Sequence, residues 1–225
     1  MFKHEPNEII AGLQSKLKAK TEASGRVYTV DGESKAYPSI TTVLGSLSKH
    51  AIMEWRKRVG EEEANRISRK ACSKGTKIHS LVEAHINNEQ VNLENEMYHI
   101  QQGFGAIRKV LDERLSTVCV QESAMYSDYL RIAGRVDCIG VFDNRLSVID
   151  FKTSSKVKER DDIQSYFMQE AAYAIMFEEL TKKPIVQLVT IMAVDGMSNA
   201  LVFKEHRDAW TEKLITTIKN YYINN

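Results

Sequence analysis

In this 225-residue chain the aspartate of Gly134-Arg135-Val136-Asp137 stands thirteen positions ahead of Asp150-Phe151-Lys152. Side chains in a strand repeat with period two, so Asp150 and Lys152 share one face while Ile149 and Phe151 enter the opposite layer. A turn at Asp143-Asn144 would fold the Asp137 strand back beside the Asp150 strand and bring two carboxylates and one ammonium together at a sheet edge. Hard oxygen ligands of this kind suit Mg2+, and a neighbouring lysine can hold a nucleophilic water or stabilise charge building on a phosphate. Solvent-facing Asp-x-Lys pairs are frequent in strands. Here Asp150 follows Leu146, Val148 and Ile149, with Phe151 beside it, and an unpaired charge in so apolar a strand is costly unless a metal offsets it.

Weaker signals flank this pair. His79 and Glu83 lie four apart on one face of a predicted helix, although a lone helical histidine is more often a packed or surface residue than a ligand. Gln169 and Tyr173 share that spacing on a helix whose other face is Ala171, Ala172, Ile175 and Met176, and they offer an amide and a ring face. Ser39, Thr41 and Thr42 follow Pro38 at the start of another helix, with hydroxyls suited to capping it. From Lys49 to Lys77 nine basic residues face four acids. The default reading is a solvated helix face; the sharper one is a phosphate-contacting surface.

The elements that must position these residues fall into blocks. Periodicity predicts a helix over about 7–20, a hairpin pairing 26–30 with 35–37 across Asp31-Gly32, a helix after Ser39, and helices over about 51–70, 74–87 and 94–115. Strands are predicted over about 118–126, 130–142 and 146–152, then a helix over 163–179, strands over 185–194 and 200–204, and a closing helix over 207–222. The succession describes an α/β core behind a helical N-terminal elaboration. Fold alone names no function.

Composition sets bounds. Lys plus Arg number 31 against 30 Asp plus Glu, a net +1, which excludes a uniformly basic nucleic-acid coat and an acidic disordered tail without excluding a DNA partner. Residues 1–79 hold 15 basic and 9 acidic residues, so the first third is basic (+6) and the rest acidic (−5). Cys72, Cys119 and Cys138 show no C-x-x-C spacing, so neither a disulfide framework nor a zinc knuckle is suggested, and three thiolates are too few for an iron–sulfur cluster. No run of about 18 apolar residues occurs, and acids stand where a targeting peptide would have none. A cytoplasmic protein without a membrane partner is expected.

Together the motifs resemble the PD-(D/E)xK nuclease superfamily and, within it, the RecB-like exonuclease branch. Gly134 to Asp137 matches the G-x-x-D form of the first acidic motif, with Val136 where the superfamily name has proline. Asp150-Phe151-Lys152 matches (D/E)-x-K, and Gln169 to Tyr173 matches Q-x-x-x-Y. Gly75-Thr76 with His79 and Glu83 resembles the branch's helical G-T-x-x-H-x-x-x-E motif. Pro38 to Leu44 with Trp55, Glu122-Ser123-Ala124 and Val148 to Thr153 are similar to the mitochondrial genome maintenance exonuclease subgroup. The resemblance spans about residues 36 to 222.

It implies a restriction endonuclease-like core, a mixed β-sheet flanked by helices, in a single nuclease domain over 1–225, with about 1–115 the mainly helical elaboration and first core helix and about 116–225 the catalytic core. It further implies that His79, Asp137, Asp150 and the main-chain carbonyl of Phe151 bind Mg2+, for which Mn2+ would substitute. Asp137, Asp150 and Lys152 would be catalytic, Lys152 orienting or activating the attacking water. Ser39, Thr41, Thr42, Gln169 and Tyr173 would contact DNA, with Glu83 and Glu122 supporting the ligands from behind. The implied activity is metal-dependent exonuclease action on free ends of single-stranded DNA, in replication, recombination or repair, in a bacterial or phage-infected cell. Two rivals stand beside it. A DNA-end-binding module would lack a catalytic group, and none is missing; a restriction-type endonuclease is disfavoured by the Gln169 and Tyr173 pair.

Overall fold

The computed structural model describes residues 1–224. In chain order the elements are β1 (Lys3–His4), α1 (Glu8–Leu13), β2 (Leu17–Glu22), β3 (Gly25–Val30), β4 (Ala36–Pro38), α2 (Ile40–Val59), α3 (Glu61–Ile86), α4 (Tyr98–Arg114), β5 (Leu115–Ser127), β6 (Ile132–Phe142), β7 (Arg145–Ser154), α5 (Gln164–Thr181), β8 (Gln187–Val194), β9 (Leu201–His206) and α6 (Asp208–Asn224). The strand order β1-β5-β6-β7-β8-β9 makes a six-stranded mixed sheet, parallel at β1/β5 and β7/β8 and antiparallel elsewhere. The mixed sheet flanked by helices is the architecture the motifs implied.

The β6–β7 hairpin is the part that aims the chemistry. Asp143 and Asn144 stand at φ +49° and +63°, the left-handed conformations that a two-residue hairpin turn requires and that Asp and Asn tolerate best. The Arg114 guanidinium clasps the Asp143 carboxylate, Lys204 adds a second contact, and together they hold its pKa down to about 2. With the turn fixed, the alternation along β7 follows the expected pattern. Val148 packs with Phe167, Met168 and Leu214 of the α5/α6 layer, whereas Ile149 and Phe151 pack with Ile78, Phe104 and Ile107 of the α3/α4 layer.

Two stretches differ from the sequence-based expectation. The helix over about 7–20 stops at Leu13, and Leu17–Glu22 pairs with β3 instead. Leu17 is buried among Tyr28, Val30 and Tyr37 while Lys18 to Glu22 are exposed, and pairing with β3 overrides local helix preference. The helices placed over 51–70 and 74–87 are differently divided. One runs from Ile40 to Val59 and the next from Glu61 to Ile86, with the break at Gly60, whose φ of +89° suits glycine alone. Beyond Leu44 no residue of α2 is buried, and in α3 only Ala64 is buried before Ile78. Among the described residues no helix is long and apolar enough to cross a membrane.

Candidate active site

β6 and β7 pair as far as Cys138 and Ile149 and then part. There Asp137 Oδ2 accepts the Phe151 N–H at 2.9 Å, in place of a ladder bond. On its other edge β6 pairs Val136 with Ser123 and Cys138 with Gln121, skipping Asp137 and Glu122. Glu122 stands at φ +45°, a sparsely populated region for a non-glycine residue and of a kind that clusters at functional sites. The irregularity releases both acids from the sheet and turns them into a groove of about 640 Å3, which His79, Lys152, Gln169 and Tyr173 also line.

His79 comes from α3. Its Nε2–H donates to the Phe151 carbonyl at 2.8 Å, which leaves Nδ1 facing Asp137 Oδ2 at 3.7 Å. His79, Glu122 and Asp137 each offer a ligand atom within 4.8 Å of the others. Burial, then the neighbouring Asp137 charge, raises the Glu122 pKa, against a 2.7 Å ion pair with Arg135.

Asp150 is 1% exposed. Its Oδ1 accepts Gln169 Nε2–H at 3.0 Å; its Oδ2 ion-pairs with the Lys152 ammonium but has no aligned hydrogen bond. Burial raises the pKa of Asp150, and the Lys152 charge opposes it. Burial would lower the Lys152 pKa, yet Asp150 and Asp137 outweigh it and hold it up to about 12, which favours the charged ammonium. Gln169 also donates to Tyr173 Oη at 3.3 Å. The Tyr173 ring lies against Gly134, where a Cβ would stand 2.7 Å from its Cε1 and 3.0 Å from Ile40 Cγ2. The glycine of the first motif and the tyrosine of the last are thus one packing unit, and Gln169 links it to Asp150.

The structure redistributes several expected roles. Ser39 is 2% exposed. Its Oγ accepts the Thr42 N–H at 3.0 Å, capping α2, and Thr42 Oγ1 accepts the Arg26 N–H at 2.9 Å. Ser39 and Thr42, expected on DNA, therefore fasten the helix start to β3, and Thr41 is the one of the three that lines the groove. Gln169 and Tyr173 are buried and act on Asp150. Glu122 stands among the cluster of potential ligands and not behind it, whereas Asp150 lies outside that cluster; Glu83 and the Phe151 backbone border the groove.

Three residues escaped the sequence reading. Arg26 and Arg135 reach the groove, and nothing in the spacing of Arg26 signals it. Glu170 is fully buried: its Oε1 accepts the Thr190 hydroxyl, Thr190 being the neighbour of Asp150 across β7/β8, and its Oε2 has no hydrogen-bond partner. Burial, then the Asp150 charge, pushes its pKa well above the ordinary range. The signal was available, because Glu170 is an acid set among apolar residues as Asp150 is.

The donor set fits a divalent cation. It offers two crowded carboxylates in Asp137 and Glu122 and the His79 imidazole, with Asp150, ion-paired to Lys152, buried beside them. Two acids and a lysine carried at the parting of two strands, with a glutamine bracing one acid, define a class: the family model of the PD-(D/E)XK nuclease superfamily matches residues 27–220, and the chain belongs to that superfamily. Among curated relatives, mitochondrial genome maintenance exonuclease 1 of Mus musculus is 29% identical over 150 residues, 63% of this chain and 44% of that protein. The Homo sapiens protein of that name is 28% identical over 148 residues, 60% and 42% of the two chains. The matched region thus spans less than half the length of these relatives. A crystal structure of SSO0001 covers 78% of this chain and 71% of its own, at 13% identity and a TM-score of 0.42.

Proposed function

We propose that this chain is a Mg2+-dependent exonuclease, with Mn2+ able to substitute, that hydrolyses phosphodiester bonds at free ends of single-stranded DNA during replication, recombination or repair. The observation that carries the reading is the convergence of Asp137, Lys152 and His79 on one open groove, with Asp150 buried directly behind Lys152 as its ion-pair partner. The exonuclease names of the mouse and human relatives support it. Asp137, Asp150, Glu122 and His79 Nδ1 would hold the cation, which supplies Lewis acidity and lowers the pKa of a bound water from about 15.7 toward neutrality. Lys152, charged and pinned beside Asp150, positions the attacking water and counters charge growing on the phosphate. Gln169 fixes the Asp150 carboxylate, so the second motif presents one geometry. Thr41, Arg26 and Arg135 meet the backbone of the strand, as hydroxyl and guanidinium groups at a groove edge do.

Oligonucleotides blocked at one end, single- or double-stranded, test this with Mg2+ or Mn2+. Trimming from one open end of the single strand is expected, abolished by Asp150→Ala and by Lys152→Ala. Undiminished cutting by either variant overturns the assignment. Cutting of covalently closed circles would show an endonuclease, and tight metal-independent binding without turnover an end-binding module.

A further inference from the structure

Beyond Lys152 the floor of the groove does not end. β7 continues through Thr153, which lines the catalytic groove on one side and, on the other, a second cleft of about 300 Å3. The far wall of that cleft is Arg66, Lys70 and Lys74, spaced i, i+4, i+8 on one face of α3, so they form a row about 12 Å long. Gly75, the next residue after Lys74, stands beside β7: a Cβ there would make ordinary contact with Thr153 Oγ1, at 3.7 Å. Opposite the row stand Thr153, Ser155 and Asp195.

One of the three cations in the cleft has no partner among the described residues. Lys74 is paired with Asp195, and Arg66 holds Glu63 one turn back on its own helix. Lys70, and the hydroxyls of Thr153 and Ser155, have no ion pair or hydrogen bond among the described residues. Ammonium, guanidinium and free hydroxyls in a line are the groups that hold phosphate oxygens without reading bases. We propose that this cleft is a second backbone-binding subsite, in which the DNA strand continues past the scissile bond and lays its phosphates along Arg66, Lys70 and Lys74. The inference rests on the nuclease reading of the adjoining groove. It adds a directed path: the strand crosses the sheet edge from the Arg26 and Arg135 side, passes the acids, and leaves between α3 and the end of β7.

The double variant Arg66→Ala/Lys70→Ala tests it, because both side chains are exposed and their loss opens no core. Anisotropy of a fluorescein-labelled single-stranded oligonucleotide, titrated in EDTA at several salt concentrations, gives affinity and salt slope; wild-type trimming is measured in parallel with Mg2+. Arg145→Ala/Lys219→Ala removes the same charge away from the cleft and is the control. Each phosphate contact on a single strand contributes about 0.7 to the slope of log K against log salt, so the cleft variant should lose about 1.4 and bind roughly tenfold more weakly at moderate salt, the control losing much less. A wild type that trims DNA, beside a cleft variant with unchanged slope and affinity, would overturn the subsite and leave the nuclease intact. A wild type that neither binds nor cuts DNA would bring down both readings.

Discussion

Replacing Gly134 by alanine adds one methyl where the structure has no room for it. The new carbon would meet Tyr173 Cε1 at 2.7 Å and Ile40 Cγ2 at 3.0 Å, and both side chains are fully enclosed. Carbon atoms rest about 3.5–4.0 Å apart, so the ring must retreat by roughly 1 Å. Overpacking of this kind costs ~1–3 kcal/mol, and the lost freedom of glycine in the unfolded chain returns ~0.4–1 kcal/mol. A net loss of ~1–2 kcal/mol lowers Tm by about 2–8 °C in a chain of this size. The larger effect is on turnover, because the retreating Tyr173 carries Gln169, and Gln169 holds Asp150. A shift of about 1 Å in a catalytic group can cost on the order of 100-fold in rate, so kcat should fall far more than KM changes. Thermal denaturation and steady-state kinetics on Gly134→Ala, Tyr173→Leu and the double variant close the cycle. Leucine vacates the space, so the double variant should recover ~1 kcal/mol relative to the sum of the singles. Strict additivity, or a Gly134→Ala protein with unchanged Tm and kcat, would refute the claim that these motifs form one packing unit.

Other outcomes follow from the same contacts. Ser39→Ala removes the α2 cap and should cost ~1 kcal/mol, visible as a lower Tm with little change in the salt dependence of DNA binding. The folded-state pKa of Asp143 is depressed from 3.8 to about 2, so its stabilisation is present above about pH 4 and lost as pH falls from there toward 2. At 31% exposure the contribution is discounted to ~1 kcal/mol, and Asp143→Asn should flatten the acid limb of a Tm-against-pH curve. Glu170 has the opposite sign: its folded pKa is raised, so it weakens the fold increasingly as pH rises above the ordinary 4.5. Glu170→Gln should therefore gain stability relative to wild type between pH 5 and 7, and an unchanged difference across that range would show Glu170 to be ionised. Mg2+ at a hundred times its Kd should stabilise the protein by about 2.7 kcal/mol, reversed by EDTA and diminished in Glu122→Gln, as thermal shift would record.

How far the sequence could be read depended on whether the deciding contact was local. Asp150 was legible because an acid in an apolar strand is an anomaly within a few residues, and Gln169 because a family motif marks it. Leu17 was misplaced because Lys16 to Lys20 suits helix or strand equally, and only Tyr28 and Tyr37, distant in the chain, choose between them. The break at Gly60 went unseen for a related reason: Gly75 carries the same residue type, yet lies inside α3, where the helix runs on unbroken. Of the candidate caps Ser39, Thr41 and Thr42, Ser39 caps α2 while the Thr42 hydroxyl ties to Arg26 of β3, and both contacts occupy hydroxyls that a phosphate would need. Glu170 stood out in the sequence as an acid among apolar residues, but its partner Thr190, on β8, is a contact only the fold supplies.

The Asp143-Asn144 turn lies at one end of the β6–β7 hairpin and the reacting acids at the other, with the ladder from Phe142–Arg145 to Cys138–Ile149 between them. Counting residues across that ladder therefore works like a ruler whose zero is the turn. One inserted residue, unless absorbed by a bulge, would move every side chain of β7 to the opposite face and exchange Asp150 with Phe151. Length at this turn thus decides which β7 side chains face the groove, although the turn lies at the far end of the hairpin, and grafts or tags belong at the ends of other loops.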